Sequence, residues 1–178
     1  MLRKTTLPLI IFLSLAGLFW LVLSQMNAGK YDPRDIPGNQ IGKPAPDFTL
    51  PGLQDKTQPV RPADYLGQTW LLNVWGTWCP ECWREHAYLI HLAERGIPIV
   101  GLNWRDNRTD ALRMLEQLGN PFIQIAFDPN SQAVIEWGVY GAPETFLIDP
   151  DGIIRARHKG ALNPTLWQQQ FAPYFTDR

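Results

Sequence analysis

Two kinds of apolar patterning divide the chain. Near the N-terminus, Leu7 to Leu23 reads LPLIIFLSLAGLFWLVL, and the stretch from Thr5 to Gly29 holds no charged side chain. A run of 17 such residues sits at the lower edge of what spans a bilayer as a helix. Pro8 falls in the first turn of that run, where its missing N–H costs nothing, and Trp20 falls near its far end, where an aromatic suits the membrane interface. Arg3 and Lys4 precede it. That order predicts a cytoplasmic tail over residues 1–6, a transmembrane anchor over 7–27 and export of everything beyond. A cleaved signal peptide is the rival reading, but no A-x-A site follows the run; a core helix comes third. Residues 28–40 (AGKYDPRDIPGNQ) have the proline, glycine and mixed charge of a linker, which leaves 41–178 as the folded, periplasmic domain.

Within that domain the apolar residues come in short runs punctuated by glycine and proline. Ile41 to Leu50 is read as an entry segment closing on a short strand, Asp47 to Leu50. Trp70 to Trp75 (WLLNVW), bounded by Gly67 and Gly76, has the near-continuous hydrophobicity of a central strand buried on both faces. A helix follows from Pro80 to about Arg95, stopped by Gly96, and Ile97 to Asn103 is another buried strand. Asp106 or Asn107 caps a helix through Leu118, with Leu112, Leu115 and Leu118 on its inner face and Gly119 as its stop. Phe122 to Phe127 reads as a strand and Asn130 to Trp137 as a short helix. Thr145 to Ile148 and Gly152 to Arg155 flank Asp149-Pro150-Asp151 as an antiparallel hairpin, and Asn163-Pro164 opens a last helix toward Tyr174. Strand and helix alternate first, then a hairpin and a helix close the domain. This pattern predicts an α/β fold with a mixed central sheet flanked by helices.

Composition then narrows the function. Of 178 residues, 45% are hydrophobic and 19% charged, which excludes a disordered or collagen-like chain. Sixteen Lys and Arg against seventeen Asp and Glu give a net charge of −1, with no basic excess to drive nucleic-acid binding. Two cysteines are too few for a disulfide-stapled scaffold or a four-thiolate zinc site.

Those two cysteines carry the chemistry. In Trp78-Cys79-Pro80-Glu81-Cys82 they lie between a predicted strand and a predicted helix, so the first thiol meets the unpaired N–H groups and dipole of the helix start, which stabilise a thiolate. Pro80 at the first helical position loses no hydrogen bond and fixes the backbone between the sulfurs. Cys79 is therefore the expected nucleophile and Cys82 the resolving thiol, on a turn expected to be exposed. A structural disulfide is the bland alternative, although a loop over two residues gains little entropy. The sharper alternative is a copper(I) metallochaperone, because Cys82 and His86 are spaced i, i+4 and could join Cys79 around a soft metal; His91 and His158 have nothing to place them nearby.

Asn73 to Cys82 (NVWGTWCPEC) resembles the active-site segment of membrane-anchored, thioredoxin-like proteins. Gly138 to Asp149 (GVYGAPETFLID) and Gly42 to Phe48 (GKPAPDF) are similar to one branch of them, the DsbE or CcmG family of thiol:disulfide interchange proteins of cytochrome c biogenesis. The resemblance runs from the anchor to the last helix. It implies a thioredoxin-like fold with an element inserted after the active-site helix, and the 60 residues between Cys82 and Pro143 leave room for one, Ile97 to Phe127. It implies that Pro143 is cis and faces the disulfide, presenting the Ala142 backbone to an incoming peptide. Glu85 and Glu144 are its acidic residues, placed to raise thiol pKa or to move a proton. Trp78 is expected to pack beside the sulfurs as a lid and Tyr140 to border a client groove, with Pro80 counted among the substrate-binding residues. Gly76 and Trp83 depart from the pattern, and Glu81 is assigned only to local electrostatics.

The resemblance further implies a protein-disulfide reductase with no cofactor of its own. Its clients are apocytochrome c, at the C-x-x-C-H segment, or other cytochrome c maturation proteins, and a DsbD/CcdA-type membrane conduit recharges it. This chain has no C-x-x-C-H, since Trp83 follows Cys82. A general thiol-disulfide oxidase or reductase remains open. A peroxidase is disfavoured, because the residues before Cys79 lack the required P-x-x-x-[ST]-x-x-C proline.

Overall fold

The computed structural model describes residues 3–27 and 40–175 and divides into two units, Met1–Asn39 and Gln40–Arg178. The first unit holds helix α1 (Arg3–Asn27). It begins four residues before the apolar run, so residues 3–6 of the expected tail are helical and Pro8 lies inside the helix rather than in its first turn. The side chains described in α1, at positions 8–21 and 24, are exposed. Among the described residues no helix is long and apolar enough to cross a membrane, so the anchor rests on the sequence alone. Residues 28–39 of the expected linker lie outside the described residues.

The second unit is built on one five-stranded sheet. Its elements run β1 (Leu50–Pro51), β2 (Pro59–Val60), a 3-10 turn (Pro62–Tyr65), β3 (Trp70–Trp75), α2 (Pro80–Glu94), β4 (Ile99–Trp104), α3 (Arg108–Leu118), β5 (Gln124–Asp128), α4 (Gln132–Glu136), β6 (Glu144–Ile148) and β7 (Ile154–Lys159). A C-terminal segment follows as α5 (Pro164–Leu166), a π turn (Trp167–Phe171) and a 3-10 turn (Ala172–Phe175). The sheet order is β5-β4-β3-β6-β7, with β3 parallel to β4 and β4 to β5, and with β6 antiparallel to both β3 and β7. Leu72 is centred between Val100 and Phe146. This mixed sheet with covering helices is a thioredoxin-like fold, and the unit β4–α3–β5 carries its parallel half out to the edge. The strand expected at Asp47 starts only at Leu50, where it pairs with β2, an element unmarked in the sequence.

All six residues of β3 are buried, as a strand covered on both faces must be. Alternate side chains feed opposite layers. Trp70, Leu72 and Val74 join Phe48, Val134, Trp137 and Phe146 on one face. Leu71 and Trp75 join Leu89 and Leu92 of α2, Met114 of α3, and Trp167 and Phe171 on the other. Asn73 shares this second face by alternation, a polar residue with no exposure. On β4, Gly101 leaves room for the stack of Trp75 on Phe122, since a Cβ there would lie 2.9 Å from the Trp75 indole nitrogen.

Helix ends follow the expected signals. Gly96 at φ +80° and Gly119 at φ +88° take the left-handed backbone that closes α2 and α3. Of the two cap candidates for α3 it is Asn107 that caps, its Oδ1 accepting from the N–H of Thr109 at 2.9 Å and of Asp110 at 3.4 Å. The buried stripe of α3 is Ala111, Met114 and Leu115, not Leu112, Leu115 and Leu118; Leu118 is 41% exposed. Spacing counted on leucines alone overlooks an alanine that lets the helix sit close.

Candidate active site

Strand β3 ends at Trp75, and the turn Gly76-Thr77-Trp78 delivers Cys79 as the N-cap of α2. Cys79 and Cys82 form a disulfide with their Cα atoms 5.3 Å apart. The N–H of Cys82 donates to the Cys79 sulfur at 3.1 Å. The first sulfur thus sits on the positive end of the helix, where negative charge is favoured. Pro80 occupies the first helical position, exposed, and Glu81 beside it pairs with Arg84 at the surface.

Contrary to the expectation from sequence, the turn is not exposed at the sulfurs. Both cysteines are 2% exposed, packed into the apolar layer with Trp75 and Leu89. The exposure belongs to the flanking tryptophans, 47% at Trp78 and 42% at Trp83. Each indole N–H is tied to backbone: Trp78 donates to the Trp104 carbonyl and Trp83 to the Thr77 carbonyl, both at 2.9 Å. Trp78 also meets Trp104 edge to face, with centroids 5.5 Å apart. A Cβ at Gly76 would collide with the Trp78 indole, which accounts for the glycine.

Glu85, one turn beyond Cys82, is buried. Its Oε1 accepts from Asn73 Nδ2 at 2.9 Å and its Oε2 from the Leu162 N–H at 2.8 Å, while Asn73 Nδ2 also reaches Thr145 Oγ1 at 3.0 Å. Burial pushes its carboxyl up from 4.5 to about 7, against the pull of those two donors. Because the folded state keeps a proton that the unfolded chain releases, the stability linked to Glu85 is complete below pH 4.5 and falls by about 3 kcal/mol as the pH rises to about 7. We expect Glu85→Gln to flatten that window in denaturation midpoints taken at pH 5 and pH 8. An unchanged slope would assign the pH dependence elsewhere.

Glu144 follows Pro143 and is also buried, but it does not stand alone. Arg157 of β7 donates from Nε to Glu144 Oε1 and from a terminal nitrogen to the Gly138 carbonyl at 2.7 Å, with its guanidinium 5.0 Å from the Phe146 ring centre. Burial pushes the Glu144 carboxyl up while Arg157 pulls it down. The Ala142–Pro143 peptide bond is cis; Pro143 is buried, its carbonyl accepting from the Gly160 N–H at 2.9 Å, and Ala142 is partly buried. Tyr140 is 73% exposed and lines, with Trp104, Arg105 and Ile135, an open depression of about 340 Å³.

His86 is committed elsewhere. Its Nε2 is bonded to the Gly119 carbonyl at 2.9 Å, and burial pushes its pKa down. Among the described residues no three His, Cys, Asp or Glu side chains gather as a metal site, so the copper set of Cys79, Cys82 and His86 is not assembled. Sequence reasoning passed over Asn73 and Arg157, and weighed Asp106 only as a helix cap. For Asn73 a signal existed, a lone amide inside an apolar strand.

A helix-capping sulfur disulfide-bonded to a cysteine one turn along, in a cluster against which Ala142 packs, is an arrangement for thiol exchange. The redoxin family matches residues 40–172. The thiol:disulfide interchange protein DsbE of Allochromatium vinosum is 43% identical over 96% of this chain and 92% of that protein. DsbE of Escherichia coli is 47% identical over 96% and 93%. A crystal structure of a putative DsbE from Chlorobium tepidum covers 75% of this chain and 96% of that one, with a TM-score of 0.66 and 32% identity. The chain belongs to the redoxin family and, within it, to the thiol:disulfide interchange proteins DsbE.

Proposed function

We propose that this thiol:disulfide oxidoreductase works as a reductase in cytochrome c maturation, held to the inner membrane by residues 7–27 with its domain in the periplasm. Its client is a disulfide in the C-x-x-C-H segment of apocytochrome c, or in a maturation protein that carries that segment. The Cys79 thiolate attacks one client sulfur, forming a mixed disulfide and releasing the other as a thiolate. The Cys82 thiolate then attacks the Cys79 sulfur, forming Cys79–Cys82 and freeing the second client thiol. Two electrons have passed to the client, and a DsbD/CcdA-type conduit returns two to the chain.

The observation that carries the reading is the Cys82 N–H held 3.1 Å from the Cys79 sulfur, which supports Cys79 as the attacking thiol. Supporting it are Trp78, Tyr140, Ala142 and Pro143, which offer a client an aromatic rim and a backbone edge. Glu85, one turn past Cys82 along α2, takes the Cys82 proton as it resolves the mixed disulfide, a role supported by the burial that raises its carboxyl to about 7, and Glu144 holds the loop through Arg157.

Equilibration with glutathione or dithiothreitol buffers tests the direction of the reaction. We expect a potential nearer the roughly −200 to −270 mV of glutaredoxins and thioredoxin than the roughly −120 mV of DsbA. A value at the oxidising end would make the protein an oxidase and end the proposal.

A further inference from the structure

Asp106 stands in the connection between β4 and α3, outside every role described so far. Because Asn107 caps α3, the Asp106 carboxylate is left for another task. It points back at the turn that carries the nucleophile. Oδ2 accepts from the Thr77 N–H at 2.7 Å and from Asn103 Nδ2 at 2.8 Å; Oδ1 accepts from the Thr77 hydroxyl and from the Asn107 N–H at 2.8 Å. Two of its four donors therefore belong to Thr77, two residues before Cys79.

The end of β4 adds a third bond to the turn, since the Trp104 carbonyl takes the Trp78 indole N–H. On the far side Trp83 takes the Thr77 carbonyl, so the N–H, hydroxyl and carbonyl of Thr77 are all committed. Between Trp104 and Asp106, Arg105 is held at φ +49°, a backbone conformation a non-glycine residue adopts at a cost. That residue faces its neighbours' acceptors, one a carbonyl and one a carboxylate, onto a single turn.

We infer that Asp106 is a positioning residue of the redox site: by gripping Thr77 it fixes the turn that sets the Cys79 sulfur against Cys82. The inference rests on exchange at this pair and not on which client it serves. Closing the disulfide is an intramolecular reaction, whose equilibrium depends on how closely the two sulfurs are held before they bond. A slack turn lowers the effective concentration of one for the other and shifts the balance toward the dithiol. Loss of the carboxylate charge acts in the same direction, because it makes the Cys79 thiolate easier to form.

Three substitutions separate position from charge. In Asp106→Asn all four partners remain donors but a single acceptor oxygen is left, so at least one donor faces an amide NH₂. Thr77→Val removes the hydroxyl donor and keeps the carboxylate charge, whereas Thr77→Ser keeps both. The readout is the equilibrium constant of the Cys79–Cys82 disulfide against glutathione in the full chain, with the thermal midpoint taken alongside. We expect a fall of about tenfold for Asp106→Asn, which is about 30 mV toward the oxidising side, a fall of about threefold for Thr77→Val, and the parent constant for Thr77→Ser.

Asp106→Asn and Thr77→Val constants within a factor of two of the parent, whatever their thermal midpoints, would reduce Asp106 to a structural residue. Should Asp106→Asn not fold, the valine and serine variants at Thr77 decide between the two roles by themselves. The parent's absolute potential judges the reductase reading, while the ratios judge Asp106, so each can fail without the other.

Discussion

Cys79→Ala should leave no disulfide reductase activity above background, while Cys82→Ala should accumulate a covalent complex with its client. The asymmetry follows from where the helix begins. The Cys79 sulfur accepts the Cys82 N–H at 3.1 Å as the cap of α2, so its thiolate is the one the helix stabilises. Cys82 is as buried as Cys79 but lies a turn inside the helix, away from the N-terminal N–H groups that favour a thiolate. Without Cys79 no sulfur attacks the client. Without Cys82 the first exchange proceeds and the second cannot, so the mixed disulfide accumulates and is lost only to an outside thiol or to return attack by the client's own freed thiolate. Non-reducing electrophoresis and intact mass of the reduced variants, mixed with an oxidised C-x-x-C-H peptide, check this. A peptide adduct on the Cys79→Ala protein and none on Cys82→Ala would reverse the order of attack.

Arg157→Met should cost about 3–5 kcal/mol, the range for breaking one side of a buried ion pair. The two side chains are 9% and 3% exposed, so the pair is not the screened surface bridge that contributes little. Methionine fills much of the arginine's volume but leaves the Glu144 carboxylate without its paired guanidinium and the Gly138 carbonyl without the Arg157 donor. Guanidinium denaturation of Arg157→Met, Glu144→Gln and the double variant measures this. The double variant should recover part of the loss, because the uncompensated charge goes with Glu144. A loss below about 1 kcal/mol for Arg157→Met would mean the pair behaves as though it were in solvent.

What could be read from the sequence was what is decided locally. Trp70 to Trp75 announces a covered strand by its composition, Gly96 and Gly119 stop their helices through a backbone angle few other residues take, and Asp149-Pro150-Asp151-Gly152 turns a hairpin. The C-x-x-C at a strand-to-helix junction was legible for the same reason. What could not be read is decided across the fold. Glu85 looks like one more charge on a helix until Asn73 and the Leu162 N–H, 77 residues away, are brought to it. Glu144 looks available as an acid or base, and Arg157 from the next strand takes its carboxylate instead. His86 has the spacing of a ligand to Cys82, yet spacing does not reveal the Gly119 carbonyl that claims its ring. The burial of the sulfurs was not legible, because neighbouring tryptophan and proline say how a turn begins and not what lies beneath it.

That burial bears on which molecules the protein answers to. Small thiols and peroxides react with cystine and cysteine wherever they can reach them, at rates governed by access. Here both cysteines are only 2% exposed, so the sulfurs themselves offer scarcely any target area. A partner that lays an extended backbone along the loop at Ala142 approaches with a geometry that a tripeptide such as glutathione does not share. Exchange with glutathione is therefore expected to be slow relative to exchange with a client peptide, although both reach the same equilibrium.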